Sequence, residues 1–328
     1  MRKKALITGA AGFIGKPLVQ QLLARDWSVT GYDVKPKPQA PAFAACDWVK
    51  GSILDENSLK HAMAGCDTVF HLAARAHLFA KDPALFDQIN RLGTQVVRGI
   101  AESSDVQHLI VTLSAVGLTP IGYRGVIDGR TRPDTPDQLA GPYARSKWQA
   151  DVLLDAPSAM AITRLYPTIP LGSGDDALTA PTLMVKRFLT DPPSAFLETA
   201  LNFIPVRDVA QAHVLAAEKL DTSPENQARR YVVSGERWML SAFLKTLGQL
   251  TGRPMPTRQI PYALARIAAG IMEPLVRMQG RESLATVEGV RVATADPEFD
   301  PTKTKRDLGW QASSVATALS ETLNWLQV

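Results

Sequence analysis

Tyr143 and Lys147 are the residues of this sequence whose types and spacing could most directly move a proton. They stand four positions apart in the segment that begins at Gly141, so in a helix they share one face. A phenol with an ordinary pKa of about 10 is a poor base, but a fixed cation beside it favours the phenolate and lowers that pKa. The spacing alone favours a solvated helix face, so the interpretation depends on the surrounding elements.

A glycine-rich turn follows the first strand that the sequence predicts, at residues 4–8. The turn reads Gly-Ala-Ala-Gly-Phe-Ile-Gly over residues 9–15 and leads into an apolar helical pattern that reaches Leu23. Strand, glycine turn and helix in this order let the backbone approach a pyrophosphate and direct helix N–H groups at it. The spacing differs by one residue from the commoner Gly-x-Gly-x-x-Gly, yet its context predicts a dinucleotide-binding turn.

Asp33 ends a second predicted strand, at residues 28–32. A carboxylate at this distance from the glycines would accept hydrogen bonds from both hydroxyls of an adenosine ribose and repel a 2′-phosphate. We therefore predict NAD as the cofactor. Lys35 and Lys37 keep NADP possible, and a simple turn residue is the alternative interpretation of Asp33.

The composition argues against a nucleic-acid-binding or membrane-spanning protein. The chain has 328 residues, of which 45% are apolar, so it can bury a sizeable core. The net charge of +4 is spread along the chain, and the basic residues 2–4 are too few for a nucleic-acid arm. No apolar run approaches the ~20 residues that would span a bilayer. We expect a small-molecule substrate and no nucleic-acid partner.

Two cysteines, Cys46 and Cys66, lack metal-ligand spacing, and no secretory leader is predicted. This usage is typical of reduced thiols in a cytoplasmic protein. We therefore expect a cytoplasmic location and no metal site.

Strand and helix patterns alternate through the first half of the chain. Further strands are predicted within 66–74 and 106–114, and helices at 84–103 and 141–155. Such alternation indicates an α/β fold with a parallel sheet, whose ligands bind at the carboxyl ends of the strands. Ser114 lies at one of those ends.

In their order along the chain, these features resemble the extended short-chain dehydrogenase/reductases, also called NAD-dependent epimerase/dehydratases. The resemblance runs from Ala5 to about Trp310 and favours the catalytic interpretation of Tyr143 and Lys147. It implies a Rossmann-type, doubly wound parallel sheet with a smaller, mainly helical C-terminal substrate lobe. The matching segments are residues 8–15, Asp33, 71–74, 90–94, Ser114, Tyr143 with Lys147, 206–210 and 308–310.

The resemblance also implies roles for single residues. Tyr143 would be the acid/base, Lys147 would lower its pKa and bind the nicotinamide ribose, and Ser114 would hydrogen-bond the reacting oxygen. Thr112 is the alternative hydroxyl at this strand end, since strand alternation puts it on the same face as Ser114. The cofactor contacts implied are Gly9, Ala11, Gly12, Phe13, Ile14, Asp33, Leu72, Ala73, Ala74, Asn90, Tyr143 and Lys147. For Asn90, a helical residue facing solvent is the alternative.

Departures from the family pattern narrow the chemistry. Ser114 is followed by Ala-Val-Gly and not by the Asp-Glu pair of sugar-nucleotide dehydratases. Leu201 stands where sugar-nucleotide epimerases usually carry an arginine, and burying a diphosphate without a cation is costly. The Pro167-Thr168 pair resembles the branch of dihydroflavonol reductases, hydroxysteroid dehydrogenases and hopanoid-associated sugar epimerases.

We predict a cofactor domain at residues 1–172, to which 203–234 returns, and a substrate lobe with C-terminal helices at 173–202 and 235–328. The long loop 118–139 is expected to border the substrate. A helix at 262–278 is predicted to pack in the core, while an apolar lid or membrane-facing surface is the alternative. Its apolar stripe is Leu264, Ile267, Ala268, Ile271, Met272 and Leu275.

Three functions remain open at this point. The favoured one is an NAD(P)-dependent oxidoreductase that interconverts a secondary alcohol and a ketone on a small, fairly apolar substrate. An isomerase, namely a sugar or sugar-nucleotide epimerase, would use the same three residues. A non-catalytic NAD-binding protein is the third. The resemblance further implies a homodimer formed through the helices at 84–103 and 141–155.

Overall fold

The computed structural model describes residues 2–76, 82–220, 229–278 and 287–327; for Leu220 and residues 272–278 it describes the backbone only. The strands are β1 Lys4–Thr8, β2 Ser28–Asp33, β3 Asp47–Lys50, β4 Thr68–His71, β5 His108–Thr112, β6 Val126–Ile127, β7 Ala161–Pro167, β8 Ile169–Leu171, β9 Ala200–Pro205, β10 Arg229–Val233, β11 Glu236–Met239 and β12 Glu298–Phe299. The helices are α1 Gly15–Leu23, α2 Glu56–Met63, α3 Ala84–Phe86, α4 Gly93–Ser103, α5 Pro142–Leu153, α6 Ala180–Thr190, α7 Val206–Leu220, α8 Leu240–Thr251, α9 Tyr262–Met278, α10 Val287–Val292, α11 Thr302–Leu308 and α12 Val315–Leu326.

Seven parallel strands form the large sheet, in the order β10, β7, β5, β4, β1, β2, β3. Its strands are apolar on both faces: in β1, Leu6 packs into one core cluster while Ala5 and Ile7 pack into the other. Helices α1 and α7 cover one face, and α2, α4 and α5 cover the other. Continuous apolar strands are typical of a parallel sheet buried on both faces. The predicted doubly wound fold is confirmed.

The predicted helix at 84–103 is divided in the structure. A π-helical segment, Asp87–Leu92, separates α3 from α4. Such wider turns are frequent at functional sites, and this one contains Asn90. The sequence pattern could not show the interruption, because the apolar spacing remains helical on both sides of it.

A second core lies under the small three-stranded sheet β11–β9–β8, against α6, α8 and α12. The chain returns to the large sheet with β10, which pairs with β7. Trp310, after α11, is buried in the large-sheet core and donates from Nε1 to the Asp208 carbonyl oxygen at 2.8 Å. Trp310 lies within residues 235–328, which the sequence assigned to the substrate lobe, although its side chain packs against the large sheet. The proposed division into two domains stays a prediction.

Helix α9 packs through a face that the sequence did not predict. Its buried residues are Ala265 and Ala269, which contact Val290 of α10 in a small cluster. Leu264, Ile267 and Ile271 are exposed, Ala268 is half-buried, and the side chains of Met272 and Leu275 lie outside the described residues. The prediction of a core stripe is therefore wrong for the described part, because small alanines make the closer helix contact.

Within the ranges given above, the structure holds no helix with both the length and the apolar composition needed to cross a lipid bilayer.

A buried carboxylate fixes α5 to the sheet. Asp151 accepts hydrogen bonds from Arg164 on β7 at 3.0 Å, from the Tyr166 hydroxyl at 2.7 Å and from Arg230 on β10 at 3.0 and 2.7 Å. Arg132 approaches the same carboxylate at 3.4 Å. These contacts are charge-assisted. Arg132 and Arg164 also pair with Asp155, whereas among the described carboxylates Arg230 pairs with Asp151 alone.

Asp151→Asn should lower the free energy of unfolding by about 3 kcal/mol, because it removes the carboxylate partner of Arg230 and one of the two carboxylate partners of the buried Arg164. The matched control is Asp155→Asn: this side chain is 42% exposed and pairs with Arg132 and Arg164. It should cost under about 1 kcal/mol. Urea unfolding at neutral pH measures both, and equal losses would contradict the central role of Asp151.

Candidate active site

The predicted site residues gather along one edge of the large sheet. Strands β2, β1, β4 and β5 are neighbours and parallel, so the segments that follow them meet at their carboxyl ends. These segments carry Asp33, the turn 9–14, the stretch 72–74 and Ser114. The sheet order thus brings together residues that are far apart in the sequence.

The glycine positions of the turn leave no room for a Cβ atom. Gly9 has φ +73°, and a Cβ placed on it would lie 2.7 Å from the Ala73 nitrogen. A Cβ on Gly15 would lie 2.2 Å from the Gly9 carbonyl oxygen. The turn closes with a 2.9 Å hydrogen bond from the Gly12 nitrogen to that same oxygen. This bare backbone at the start of α1 fits a pyrophosphate.

Asp33 is tied to the glycine turn. Its Oδ2 accepts from the Ala11 nitrogen at 2.9 Å, and its Oδ1 accepts from the Lys35 nitrogen at 2.9 Å. The carboxylate therefore stabilises the local turn. It also lies beside the glycine turn, where an adenosine ribose would follow the pyrophosphate. The bare backbone of the glycine turn and the Asp33 carboxylate together fit a dinucleotide. The ribose contact of Asp33 and the cofactor contacts of Phe13 and Ile14 stay predictions.

Behind residues 72–74, a buried histidine joins three elements. His71 Nδ1 lies 2.8 Å from Thr8 Oγ1, and its Nε2 lies 3.0 Å from Thr94 Oγ1. Thr94 Oγ1 donates to the Asn90 carbonyl oxygen, so Nε2 carries the imidazole proton. Burial, helped by the charge of Lys147, lowers the pKa of His71 to about 3. His71 is therefore neutral, and it links β1, β4 and α4 beneath the site.

Ser114, Tyr143 and Lys147 converge at the end of β5. Tyr143 and Ser114 form a side-chain hydrogen bond. Lys147 is buried and donates from Nζ to the Thr112 carbonyl oxygen at 3.0 Å. The ring of the buried Phe86 lies 6.1 Å from the Tyr143 ring, measured between their centroids. The phenol, the hydroxyl and the ammonium therefore occupy one small region.

Burial controls the proton affinities of this group. It raises the pKa of the Tyr143 phenol above its ordinary value, and the hydrogen bond with Ser114 offsets part of that rise. The sequence predicted a pKa lowered by Lys147; that direction is wrong, because desolvation is the larger effect. Burial also lowers the pKa of Lys147 to about 8. At neutral pH the phenol keeps its proton and most of Lys147 stays charged.

The structure separates the roles of Thr112 and Ser114. Thr112 Oγ1 lies 2.6 Å from His213 Nε2, and His213 Nδ1 lies 2.7 Å from the Val209 carbonyl oxygen. Because a carbonyl only accepts, Nδ1 carries the proton and Thr112 donates to Nε2. The Thr112 hydroxyl is thus held toward α7. Strand β5 ends at Thr112, so alternation does not place Ser114, whose hydroxyl contacts Tyr143.

Asn90 is buried and does not face solvent. Its Oδ1 accepts from the Arg75 nitrogen at 2.8 Å, and its Nδ2 donates to the Arg75 carbonyl oxygen at 3.2 Å and to Ser146 Oγ at 2.9 Å. Ser146 Oγ in turn donates to the Tyr143 carbonyl oxygen at 2.8 Å. Asn90 therefore positions the segment after β4 and the start of α5. Its direct contact with a cofactor stays a prediction.

Apolar side chains surround Leu201. Leu201 packs against the small-sheet core. The neighbouring Asn202 Oδ1 accepts from Thr168 Oγ1 at 2.8 Å and from the Gly235 nitrogen at 3.1 Å, so its amide oxygen is already used. The Pro167-Thr168 pair seen in the sequence thus joins β7 to β9.

Sequence reasoning missed Phe86, Ser146, His213 and Asp151, all of which position the site. Their partners lie far along the chain: His213 is 101 residues from Thr112. No local spacing could reveal such pairs. In the described part of the chain, no group of three His, Cys, Asp or Glu side chains could hold a metal ion.

Comparisons with known proteins found relatives along most of the chain. The model of the NAD dependent epimerase/dehydratase family matches residues 5–234. A "putative dihydroflavonol 4-reductase" of Synechocystis is 30% identical, over 98% of this chain and 94% of its own. Sterol demethylase protein B of Methylococcus capsulatus is 27% identical, over 98% of both chains. The crystal structure of a protein named gox2253 has a TM-score of 0.82 at 25% identity and covers 99% of this chain and 98% of its own.

The pKa of Lys147, about 8, lies below the ordinary 10.5, so between these values the unfolded chain holds a proton that the folded chain has released. The free energy of unfolding should then rise with pH in this window, by at most about 1.4 kcal/mol per pH unit. Urea unfolding should show wild type gaining stability over Lys147→Met from roughly pH 8 to roughly pH 10. The exposed Lys60, changed to Met, is the control; the same pH dependence in both variants would contradict the prediction.

Proposed function

The chain belongs to the NAD-dependent epimerase/dehydratase family, and we propose that it interconverts a secondary alcohol and a ketone on a small, fairly apolar substrate. It is an NAD-dependent enzyme of the extended short-chain dehydrogenase/reductase type. Family membership leaves net oxidoreduction and epimerisation open, because both chemistries use a hydroxyl, a tyrosine and a lysine beside the nicotinamide. The substrate side of the site must distinguish them.

The observation that carries the proposal is the apolar setting of Leu201. Sugar-nucleotide epimerases are expected to hold an arginine there, whereas this side chain packs into the small-sheet core. A diphosphate enclosed beside it would lack that charge-assisted contact. The names of the two relatives point the same way, since they concern a dihydroflavonol and a sterol. These considerations support an alcohol or ketone without a nucleotide.

The chemistry proposed for the site requires hydride and proton to move together. The nicotinamide cofactor would accept the hydride as NAD⁺ in the oxidative direction and supply it as NADH in the reductive direction. Ser114 donates a hydrogen bond to the substrate oxygen and orients it toward Tyr143. In the reductive direction, the Tyr143 phenol gives its proton to that oxygen as the carbonyl carbon becomes a carbinol; in the oxidative direction, the phenolate takes the proton back.

Lys147 supplies the charge that this cycle needs. A phenolate at Tyr143 is unfavourable in a buried site unless a cation lies nearby. Lys147 lies one helical turn away, and its hydrogen bond to Thr112 keeps the ammonium close to the strand end. Because burial raises the pKa of Tyr143, the protonated phenol is the resting form and is prepared to act as an acid.

The decisive experiment screens sterols, flavonoid-like ketones and nucleotide sugars for net change in nicotinamide absorbance. We expect stoichiometric oxidation or reduction of an alcohol or ketone from the first two groups. Isomerisation of a sugar with tightly retained NAD, and without net absorbance change, would overturn the proposal in favour of an epimerase.

Tyr143→Phe should reduce turnover by at least about 100-fold, because it removes the proton donor. Its affinity for NAD should stay within about twofold of wild type, since the glycine turn and Asp33 are unchanged. Tyr231→Phe, at a buried tyrosine of β10, is the matched control and should keep its activity. Steady-state kinetics and NAD titration measure both variants; undiminished turnover in Tyr143→Phe would refute the assignment.

Wild type should prefer NAD to NADP, because the Asp33 carboxylate repels a 2′-phosphate. Asp33→Asn keeps an acceptor for the Ala11 nitrogen but loses the charge, so the ratio of kcat/KM for NAD to that for NADP should fall about tenfold. The control is the exposed Asp47→Asn on β3. A wild-type preference for NADP would contradict this role of Asp33.

A further inference from the structure

The outer face of α9 carries a stripe of large apolar side chains. Leu264, Ile267 and Ile271 are 55%, 57% and 61% exposed. Their spacing of three and four residues puts them on one face of the helix. A contiguous apolar surface of this kind marks an interaction site more often than a single exposed side chain does.

The stripe points away from the body of the protein. Helix α9 contacts α10 through Ala265 and Ala269, which together with Val290 form a small buried cluster. At 100° per residue, these alanines lie on the side of the helix opposite to Ile267 and Ile271. The large side chains are therefore unnecessary for the contacts that the described residues make, and more than half of the surface of each is exposed.

The charged side chains between Glu236 and Glu273 are all basic. Residues 237–272 contain no Asp or Glu, although Lys+Arg and Asp+Glu are nearly balanced in the whole chain, at 36 and 32. Arg258 and Arg266 are exposed, one just before α9 and the other within it. The basic residues of this segment are Arg237, Lys245, Arg253, Arg258 and Arg266.

We propose that the outer face of α9 docks onto the surface of an anionic lipid bilayer, with the helix lying in the interface. Apolar residues on one side and arginines at the border are the features that bind a helix to such a surface. A second copy of this chain suits the face less well, because a twofold contact would oppose the same cations. The helix lies on the membrane and does not cross it.

This docking rests on the proposed function and would define the substrate class, namely an alcohol or ketone dissolved in the membrane. Helix α10 connects the two regions. On its inner side, the Glu288 carboxylate lies so close to Gly141 that a Cβ there would be 2.0 Å from Glu288 Cδ. Gly141 precedes Tyr143 by two residues. The α9–α10 pair thus stands between the apolar stripe and the start of the catalytic helix.

Vesicle flotation tests the docking, using phosphatidylcholine vesicles with and without phosphatidylglycerol. Wild type should bind the anionic vesicles more strongly, and roughly 1 M salt should weaken that binding. Ile267→Gln/Ile271→Gln should bind at least about tenfold more weakly, because two aliphatic side chains no longer enter the interface. The matched control is Ile121→Gln/Val126→Gln, two aliphatic residues exposed by 42% and 50% on another part of the surface.

Equal vesicle binding by wild type and Ile267→Gln/Ile271→Gln, or no binding by wild type, would overturn the docking. So would a wild-type dimer that this variant dissociates in sedimentation, since a second copy would then cover the stripe. Tyr143→Phe should bind vesicles like wild type. The Ile267→Gln/Ile271→Gln variant should turn over a water-soluble alcohol or ketone normally. Failure of turnover in wild type therefore sinks the proposed function, whereas failure of flotation alone sinks only the docking.

Discussion

The hydrogen bond from the Lys147 ammonium to the Thr112 carbonyl oxygen is the contact on which the rest of the site depends. It joins helix α5 to the end of β5 and thereby sets the position of Tyr143 relative to Ser114. Further contacts hold the same helix at both ends: Ser146 receives the Asn90 amide at its start, and Asp151 binds arginines of β7 and β10 near its end. A helix fixed at three levels can keep a phenol within hydrogen-bond reach of a substrate oxygen.

Burial gives this group its chemical character. The same desolvation that raises the pKa of Tyr143 lowers the pKa of Lys147 to about 8 and that of His71 to about 3. The result is a neutral phenol, a predominantly charged ammonium and a neutral imidazole at neutral pH. In the proposed reaction, the Lys147 ammonium would offset the negative charge that forms when the phenol releases its proton.

The substrate side differs in character from the cofactor side. The glycine turn and Asp33 form a polar cradle on rigid strand ends, whereas Leu201 and the small-sheet core make the other side apolar. Helix α9 carries apolar side chains at the surface, because alanines make its inner contact and leave Ile267 and Ile271 outside. This contrast supports the proposed substrate, an alcohol or ketone that is itself partly apolar.

The sequence by itself determined the parallel α/β fold, the glycine turn and the candidates Ser114, Tyr143 and Lys147. These features are local, because the residues that form a strand, a turn or a helix follow one another in the sequence. The order of the motifs along the chain then indicates the fold. Only the tertiary structure decided that Asn90 is buried against Ser146, that His213 holds Thr112 away from Ser114, and which face of α9 is packed. Each of these depends on contacts between segments that are distant in the sequence. The spacing of residues along the chain does not show such contacts, nor how burial and nearby charges together set a pKa.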